Sequence, residues 1–229
     1  DGPAAAPFPV RTSPQPGKRQ IYIVDKPGAA QSQIRIGLVG VPRTTPDFVA
    51  LDVFNTILGG SFTSRLNTNL RETHGYSYGA TSFFDMRKAA GPFLAGAGVQ
   101  TDKTAEALKE FFNEFNAILQ PVPADELARF KNYAALSFAG EFETSGQLAA
   151  KLESMAIYSL PDDVYTGYVS AVQAVTAADL TRVADELARL QVDDGVALLE
   201  VVDLLDHGER HRHVVLLEAE DGVGVVEDD

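Results

Sequence analysis

The sequence predicts an α+β fold in which a sheet is backed by helices on one face. Three observations point there. Short alternating stretches dominate the first hundred residues and longer helical stretches the next ninety. Neighbouring strand-like stretches are separated by turn residues, as in hairpins. The apolar spacing shifts from two to three and four as the chain proceeds, which separates strands from helices.

The elements follow in order. Asp1 to Gln20 is rich in Pro and Ala without periodicity and reads as an extended linker over 1–20. Ile21 to Val24 is a short strand, Pro27-Gly28 turns the chain, and Ser32 to Gly40 alternates as a second strand. Pro46 and Asp47 open a helix on which Phe48, Leu51, Phe54 and Leu58 keep helical spacing. Gly91 to Val99 reads as a strand pairing with Tyr76–Met86. Asp102 to Leu119 is the clearest helix, its wide stripe built from Leu108, Phe111, Phe112, Phe115, Ile118 and Leu119; such a stripe is core. Pro121 and Pro123 break the chain. Helices are then expected over Ala124–Phe138, Ser145–Ser159 and Asp162–Val172, followed by one opened by a capping box from Thr176 to Asp179 and carrying Leu180, Val183 and Leu187. Val196 to Val202 looks like a last strand. The organisation expected is a linker over 1–20, one α+β domain over 21–202 and an acidic tail over 203–229.

Composition narrows the function classes. A chain of 229 residues holds ample material for a continuous core. No run of about 18 apolar residues is present, so no membrane span is expected. There is no cysteine, which excludes disulfides and thiolate metal sites and fits a periplasmic or secreted protein, with a cytoplasmic one as the alternative. The chain opens at Asp1 without Met, as a mature chain or an excised fragment would. Of the net charge of −13, −10 falls after Leu190. A nearly neutral body with an acidic tail argues against nucleic-acid binding, which needs a basic surface.

The most informative stretch is Leu58 to Ala80, LGGSFTSRLNTNLRETHGYSYGA. Gly59 and Gly60 end the preceding helix as a left-handed cap would. Thr63 or Ser64 can cap the next helix, with Phe62 placed to staple its entry. Leu66 and Leu70 share one face of that helix. Arg71 lies in its last turn, where a cation meets the negative end of the helix dipole, and Gly75 stops it. Beyond Gly75 the period becomes two: Tyr76, Tyr78, Ala80, Ser82 and Phe84 fall on one face, and Ser77, Gly79, Thr81 and Phe83 on the other. Arg71 and Tyr78 thus flank a tight turn, where a guanidinium and a phenol could converge on a peptide backbone. Plain packing of a helix on a strand would use the same residues.

This stretch resembles the corresponding segment of the M16 metallopeptidases, the family of insulinase, pitrilysin and the mitochondrial processing peptidase, in their second, zinc-free domain. The shared pattern is a Gly-Gly, a helix bearing Leu70-Arg71-Glu72, and a Gly before a strand whose Tyr lies seven residues past the Arg. The resemblance runs from about Ile21 to Leu190. It implies a two-layer fold of antiparallel sheet and helices. It also implies that Arg71 and Tyr78 bind substrate backbone across a cleft from a zinc site held by another domain. By that resemblance the chain is the non-catalytic, substrate-binding half of a zinc metallopeptidase. It would enclose unfolded peptide with a zinc-bearing partner domain, in the same precursor or in another chain. The alternative is a non-enzymatic structural or interaction subunit on the same fold, as in the core subunits of respiratory complexes. After Leu190 the wording departs from the family pattern; a shift of reading frame near this point would produce such a passage.

No catalytic set of its own is legible. The H-x-x-E-H motif of the family's active domain, in which two histidines hold zinc and a glutamate activates water, is absent. The four histidines are His74, His207, His211 and His213. His207 and His211 lie four apart, but Glu209 has the wrong offset for either zinc-helix motif and would point away from a shared His face. His213 completes a His/Arg cluster that reads as a solvated polar loop. His74 reads as a surface or cap residue. Glu141 and Glu143 are near neighbours without a base or metal partner. No nucleophile elbow and no phosphate loop is present. The chain is therefore expected to hold no cofactor, with zinc in the partner domain, and to be inactive alone.

Overall fold

The computed structural model describes residues 10–14, 20–24, 26–192, 198–202, 213–218 and 222–227. One five-stranded sheet collects β1 (Gln20–Ile23), β2 (Ser32–Val39), β3 (Ser77–Phe84), β4 (Pro92–Val99) and β5 (Leu198–Val202) in the order β1-β5-β2-β4-β3. The four strands β5, β2, β4 and β3 are antiparallel neighbours, while β1 joins the far side of β5 in parallel. The β2–β4 pair runs unbroken from Ser32 opposite Val99 to Val39 opposite Pro92. A separate two-stranded sheet pairs β6 (His213–Glu218) with β7 (Gly222–Glu227), within the segment read as an acidic tail.

The helices are α1 (Phe48–Asn55), α2 (Arg65–Asn67), α3 (Thr104–Ala117), α4 (Ala124–Ala139), α5 (Ser145–Tyr158), α6 (Tyr168–Ala174) and α7 (Ala177–Val192). Period-two burial on the strands gives the core its floor: Ile34, Ile36 and Leu38 on β2, with Phe93, Ala95, Ala97 and Val99 on β4. Over it pack Leu51, Val53 and Phe54 of α1, Leu108 and Phe111 of α3, Phe130 of α4, and Leu180, Val183 and Leu187 of α7. This is the helix-backed α+β arrangement the sequence predicts.

Helix ends follow the chemistry of the residues there. Thr176 Oγ1 accepts the N–H of Asp179 while the Asp179 carboxylate accepts the N–H of Thr176, so the expected capping box forms. Thr144 and Gln147 build a second such box at α5. Lys131 Nζ donates to the carbonyls of Gln173 (2.5 Å) and Val175 (2.7 Å), satisfying the end of α6. The expected helix over 162–172 is shorter. Turns at Val164 N–H to Pro161 and Thr166 N–H to Asp163 occupy its first part, and α6 begins only at Tyr168. Paired aspartates beside a proline, and Gly167, favour turns over a helix interior. No residue of α5 is buried, although Leu148 and Leu152 lie on it.

Gly59 and Gly60 do not form a left-handed cap; among the described residues positive φ belongs to Gly28, Gly75 and Ser159. Instead α1 runs on through a π-helical turn, Thr56–Gly60, closed by Ser61 Oγ donating to the Thr56 carbonyl at 3.0 Å. The glycines serve close approach. A Cβ on Gly59 would sit 2.4 Å from Ser82 N and Oγ, and one on Gly60 would sit 2.6 Å from Asn55 Nδ2. Gly75, with φ +66°, does stop its helix as expected.

On the helical side, the half-buried Asp52 lies beside the hydroxyl of Tyr168, which donates to its carboxylate. Burial raises the Asp52 pKa above the ordinary carboxylate range, against smaller opposing effects from Tyr168, Lys151 and Arg43. Burial first, and then Asp52, likewise raise the Tyr168 hydroxyl.

Two outcomes are expected. Gly59→Ala forces helix and strand apart, an overpacking cost of about 1–3 kcal/mol, or a melting temperature lower by roughly 3–10 °C in a circular-dichroism melt, whereas Gly146→Ala, with nothing within 4 Å, causes no loss. Because the folded state holds the Asp52 proton more tightly than the unfolded state, this contribution to stability is complete below the unfolded pKa and declines as pH rises through the folded one. Asp52→Asn, which keeps an acceptor for Tyr168, should raise the melting temperature at pH 7 and give no gain below about pH 4.

Candidate functional site

The candidate site is the helix–turn–strand unit from Phe62 to Phe84. Ser64 occupies the N-cap position of α2 with extended backbone, but its side chain makes no capping bond; Ser64 Oγ is buried without a hydrogen-bond partner among the described residues. Leu66 and Leu70 are fully buried, as their spacing predicts. α2 passes directly into a π-helical turn, Thr68–Thr73, in which the His74 N–H reaches back five residues to Asn69 O. Turns of this kind gather at functional positions.

Neighbouring helices fix this short segment. Arg65 Nε and Nη2 donate to Glu126 Oε1 and Oε2 of α4 at 2.9 and 2.7 Å, a bidentate pair with both side chains largely buried. Hydrogen bonding to Glu126 raises the Arg65 pKa, against desolvation by burial. Asn69 Nδ2 donates to Glu110 and Glu114 of α3 at 3.0 and 2.7 Å. Asn67, almost fully buried, donates from Nδ2 to Phe62 O and accepts at Oδ1 from Ala80 N–H.

Arg71 sits in the last turn of this segment, as the sequence predicts. Its side chain is 35% exposed and its Nε lies 3.4 Å from Glu72 Oε1. The guanidinium carbon stands 4.5 Å from the centre of the Phe62 ring. Phe62 is therefore no buried staple: it is 66% exposed and serves as the surface on which Arg71 lies. Among the described residues Arg71 donates no hydrogen bond, and the long contact of Nε with the exposed Glu72 leaves most of its planar donor fork open.

Tyr78 is 90% exposed. The expected alternation would set it on the face of Ala80 and Ser82, which are buried; a bulge separates them. Ser77 pairs with Val99 and Ala80 with Ala97, so β3 carries one residue more than β4 over this interval. Ser77 Oγ holds the bulge, donating to Gly79 O at 2.6 Å and accepting from Gly79 N at 2.9 Å. The extra residue re-aims Tyr78 outward while Ala80 onward stays in register with the core. His74 is a surface residue, as expected, stacked on Tyr76 at 5.0 Å with Nδ1 against Asn69.

The structure therefore brings Arg71 and Tyr78 into one unit, both reaching solvent from the two sides of the Gly75 turn. The sequence reading missed Phe62 as the partner of Arg71, and Asn67 altogether. A polar Asn between two buried leucine turns, and a Gly in a strand interior, are the signals that were there to find.

Among the described residues no three His, Asp or Glu side chains cluster as a metal would require. His207 and His211 lie outside the described residues; His213 begins β6. Glu141 pairs with Lys151. No helix among the described residues is long and apolar enough to cross a membrane.

Fold and site together define an α+β domain that displays an arginine and a tyrosine from one helix–turn–strand unit. The chain belongs to the family described as the peptidase M16 inactive domain, whose model matches residues 2–133. It is similar to an uncharacterized zinc protease of Streptomyces coelicolor, 24% identical over 191 residues, covering 81% of this chain and 41% of that protein. Its fold is similar to the crystal structure of the peptidase M16 inactive domain from Pseudomonas fluorescens, with TM-score 0.75, 24% identity, and coverage of 89% of this chain and 47% of that one. A protease from Helicobacter pylori matches with TM-score 0.77 at 22% identity, over 88% and 48% of the two chains. The chain thus spans about half the length of these relatives.

The Arg65–Glu126 pair anchors the site to the helical layer, so Glu126→Gln, which leaves the largely buried Arg65 without its ion pair, should cost about 1–3 kcal/mol in urea unfolding. The exposed Lys103–Glu106 pair provides the contrast: Glu106→Gln should leave the unfolding midpoint in place.

Proposed function

We propose that this chain is the substrate-binding, non-catalytic half of an M16-type zinc metallopeptidase, and that Arg71 and Tyr78 hold the backbone of an unfolded peptide. The observation that carries this reading is the bulge at Ser77–Gly79. A plain edge strand would turn the large ring of Tyr78 toward the core. Here an extra residue, locked by Ser77, puts 90% of it in solvent, in the same helix–turn–strand unit as an arginine that donates no hydrogen bond among the described residues. A guanidinium and a phenol are the donors that would engage a peptide carbonyl without regard to its side chain, which suits a peptidase that accepts many sequences.

In this reading the water-activating zinc and its ligands belong to a partner domain, which family membership and the half-length match to zinc proteases support. The described residues supply binding and orientation. Holding the scissile stretch from the side opposite the metal lowers the freedom lost on reaching the transition state. We place the unit that does this within 21–202, and its location in the periplasm or outside the cell, supported by the absence of cysteine.

Alone, the chain should not cleave an unstructured peptide, and adding the zinc-bearing domain should give chelator-sensitive cleavage. A donor bond to a bound carbonyl contributes roughly 1–3 kcal/mol, so Arg71→Ala or Tyr78→Phe should lower kcat/KM in the assembled enzyme by about tenfold to a hundredfold. The melting temperature should barely move, since neither side chain fills the core. Unchanged turnover with a clearly lowered melting temperature in both variants would refute the assignment.

A further inference from the structure

We propose that Asn67 is the positioning residue of this site, the single side chain that sets Arg71 and Tyr78 relative to each other; the inference rests on the reading of that pair as a peptide-binding clamp.

The two displayed groups have separate supports. Arg71 lies on the ring of Phe62, at 4.5 Å. Tyr78 stands on the bulge that ends at Ala80. Asn67 joins both supports through one amide. Its Nδ2 donates to Phe62 O at 2.5 Å, and its Oδ1 accepts from Ala80 N–H at 3.2 Å. Gly79, which follows Tyr78, is close enough that a Cβ there would lie 3.5 Å from the same Oδ1.

Chemistry restricts what can stand here. The Phe62 carbonyl needs a donor and the Ala80 N–H needs an acceptor, and a planar amide supplies one of each. Asn67 is 4% exposed, so water does not readily replace either bond. Its own elements are fixed independently: Leu66 and Leu70 flank it in the core, and Arg65 and Asn69 tie the same segment to α4 and α3. Asn67 thus transmits a rigid frame to two exposed groups that have no strong partners of their own. Small errors in such placement are costly to turnover.

The chain contains no tryptophan, so Tyr78→Trp makes position 78 the sole indole. In that background Asn67→Leu, which removes both bonds, should lower the fluorescence anisotropy of the indole and increase its quenching by acrylamide. Asn67→Asp, which keeps only the acceptor, should do so less. With Tyr78 intact, in the enzyme assembled with its zinc-bearing domain, Asn67→Leu should lower kcat/KM for an unstructured peptide about tenfold, chiefly through KM. Adding Arg71→Ala to Asn67→Leu should then cost much less than Arg71→Ala costs alone, because the guanidinium has already lost its placement. An unchanged indole signal in both Asn67 variants would overturn the proposal, as would an Arg71→Ala loss that simply multiplies with that of Asn67→Leu. If Asn67→Leu does not fold, Asn67→Asp carries the same comparison. Should Arg71→Ala and Tyr78→Phe leave turnover intact while the indole loosens, the clamp reading fails and the tie from Asn67 to the bulge stands as a purely structural one.

Discussion

Among the described residues the outer side of β3 has no strand beside it, and much of the molecule follows from how that edge is satisfied. An edge strand presents backbone donors and acceptors that would otherwise recruit another chain. Here the helical layer takes up part of that edge. Asn67 accepts the Ala80 N–H, Ser82 Oγ donates to Asn55 Oδ1 at 2.8 Å, and the π-helical turn after α1 comes so near at Gly59 that no side chain fits. The strand is thereby tied to the helices of its own chain. A consequence is that the segment carrying Arg71 and the strand carrying Tyr78 are bound to each other by specific polar contacts as well as by apolar packing.

This arrangement explains why the fold was more legible than the site. Burial alternates strictly on β4 and, apart from the small Gly37, on β2, and Leu66, Leu70 and the α3 stripe lie where their spacing puts them, because each of these signals reports a face turned toward one apolar layer. The Thr176–Asp179 box was readable for the same local reason: its donors and acceptors are three residues apart. What escaped depends on partners distant in sequence. Gly59 answers to Ser82, and its backbone is ordinary, so a cap was the natural but mistaken inference. The bulge depends on the count of residues in β4 as well as β3, and one extra residue reverses the face of Tyr78 while leaving the rest of the alternation intact. The parallel join of β1 to β5 spans almost the whole chain and leaves no local mark.

The site also illustrates how exposure and rigidity coexist. Arg71 and Tyr78 reach solvent, yet the residues between and around them, Leu66, Asn67 and Leu70, are among the best buried in the protein. Ions do part of the fixing. The forked contact of Arg65 with Glu126 is directional, and it lies where water competes poorly, unlike the exposed pair of Arg87 with Asp85.

Helix α5 lies at the other extreme. With no buried residue, it is held by its capping box, by Lys151 against Glu141 and the rings of Phe138, Phe142 and Tyr165, and by a long contact from Tyr165 to the Lys151 carbonyl. Detaching it exposes little that was hidden, so its local opening draws on a small fraction of the free energy that keeps the sheet and α3 folded. The domain is accordingly a graded solid. Opening the interior is expected to need the whole fold, whereas the stretch from Thr144 to Tyr158, which hides no side chain, is a place among the described residues where a foreign protease or an exchanging solvent proton would meet backbone at low cost.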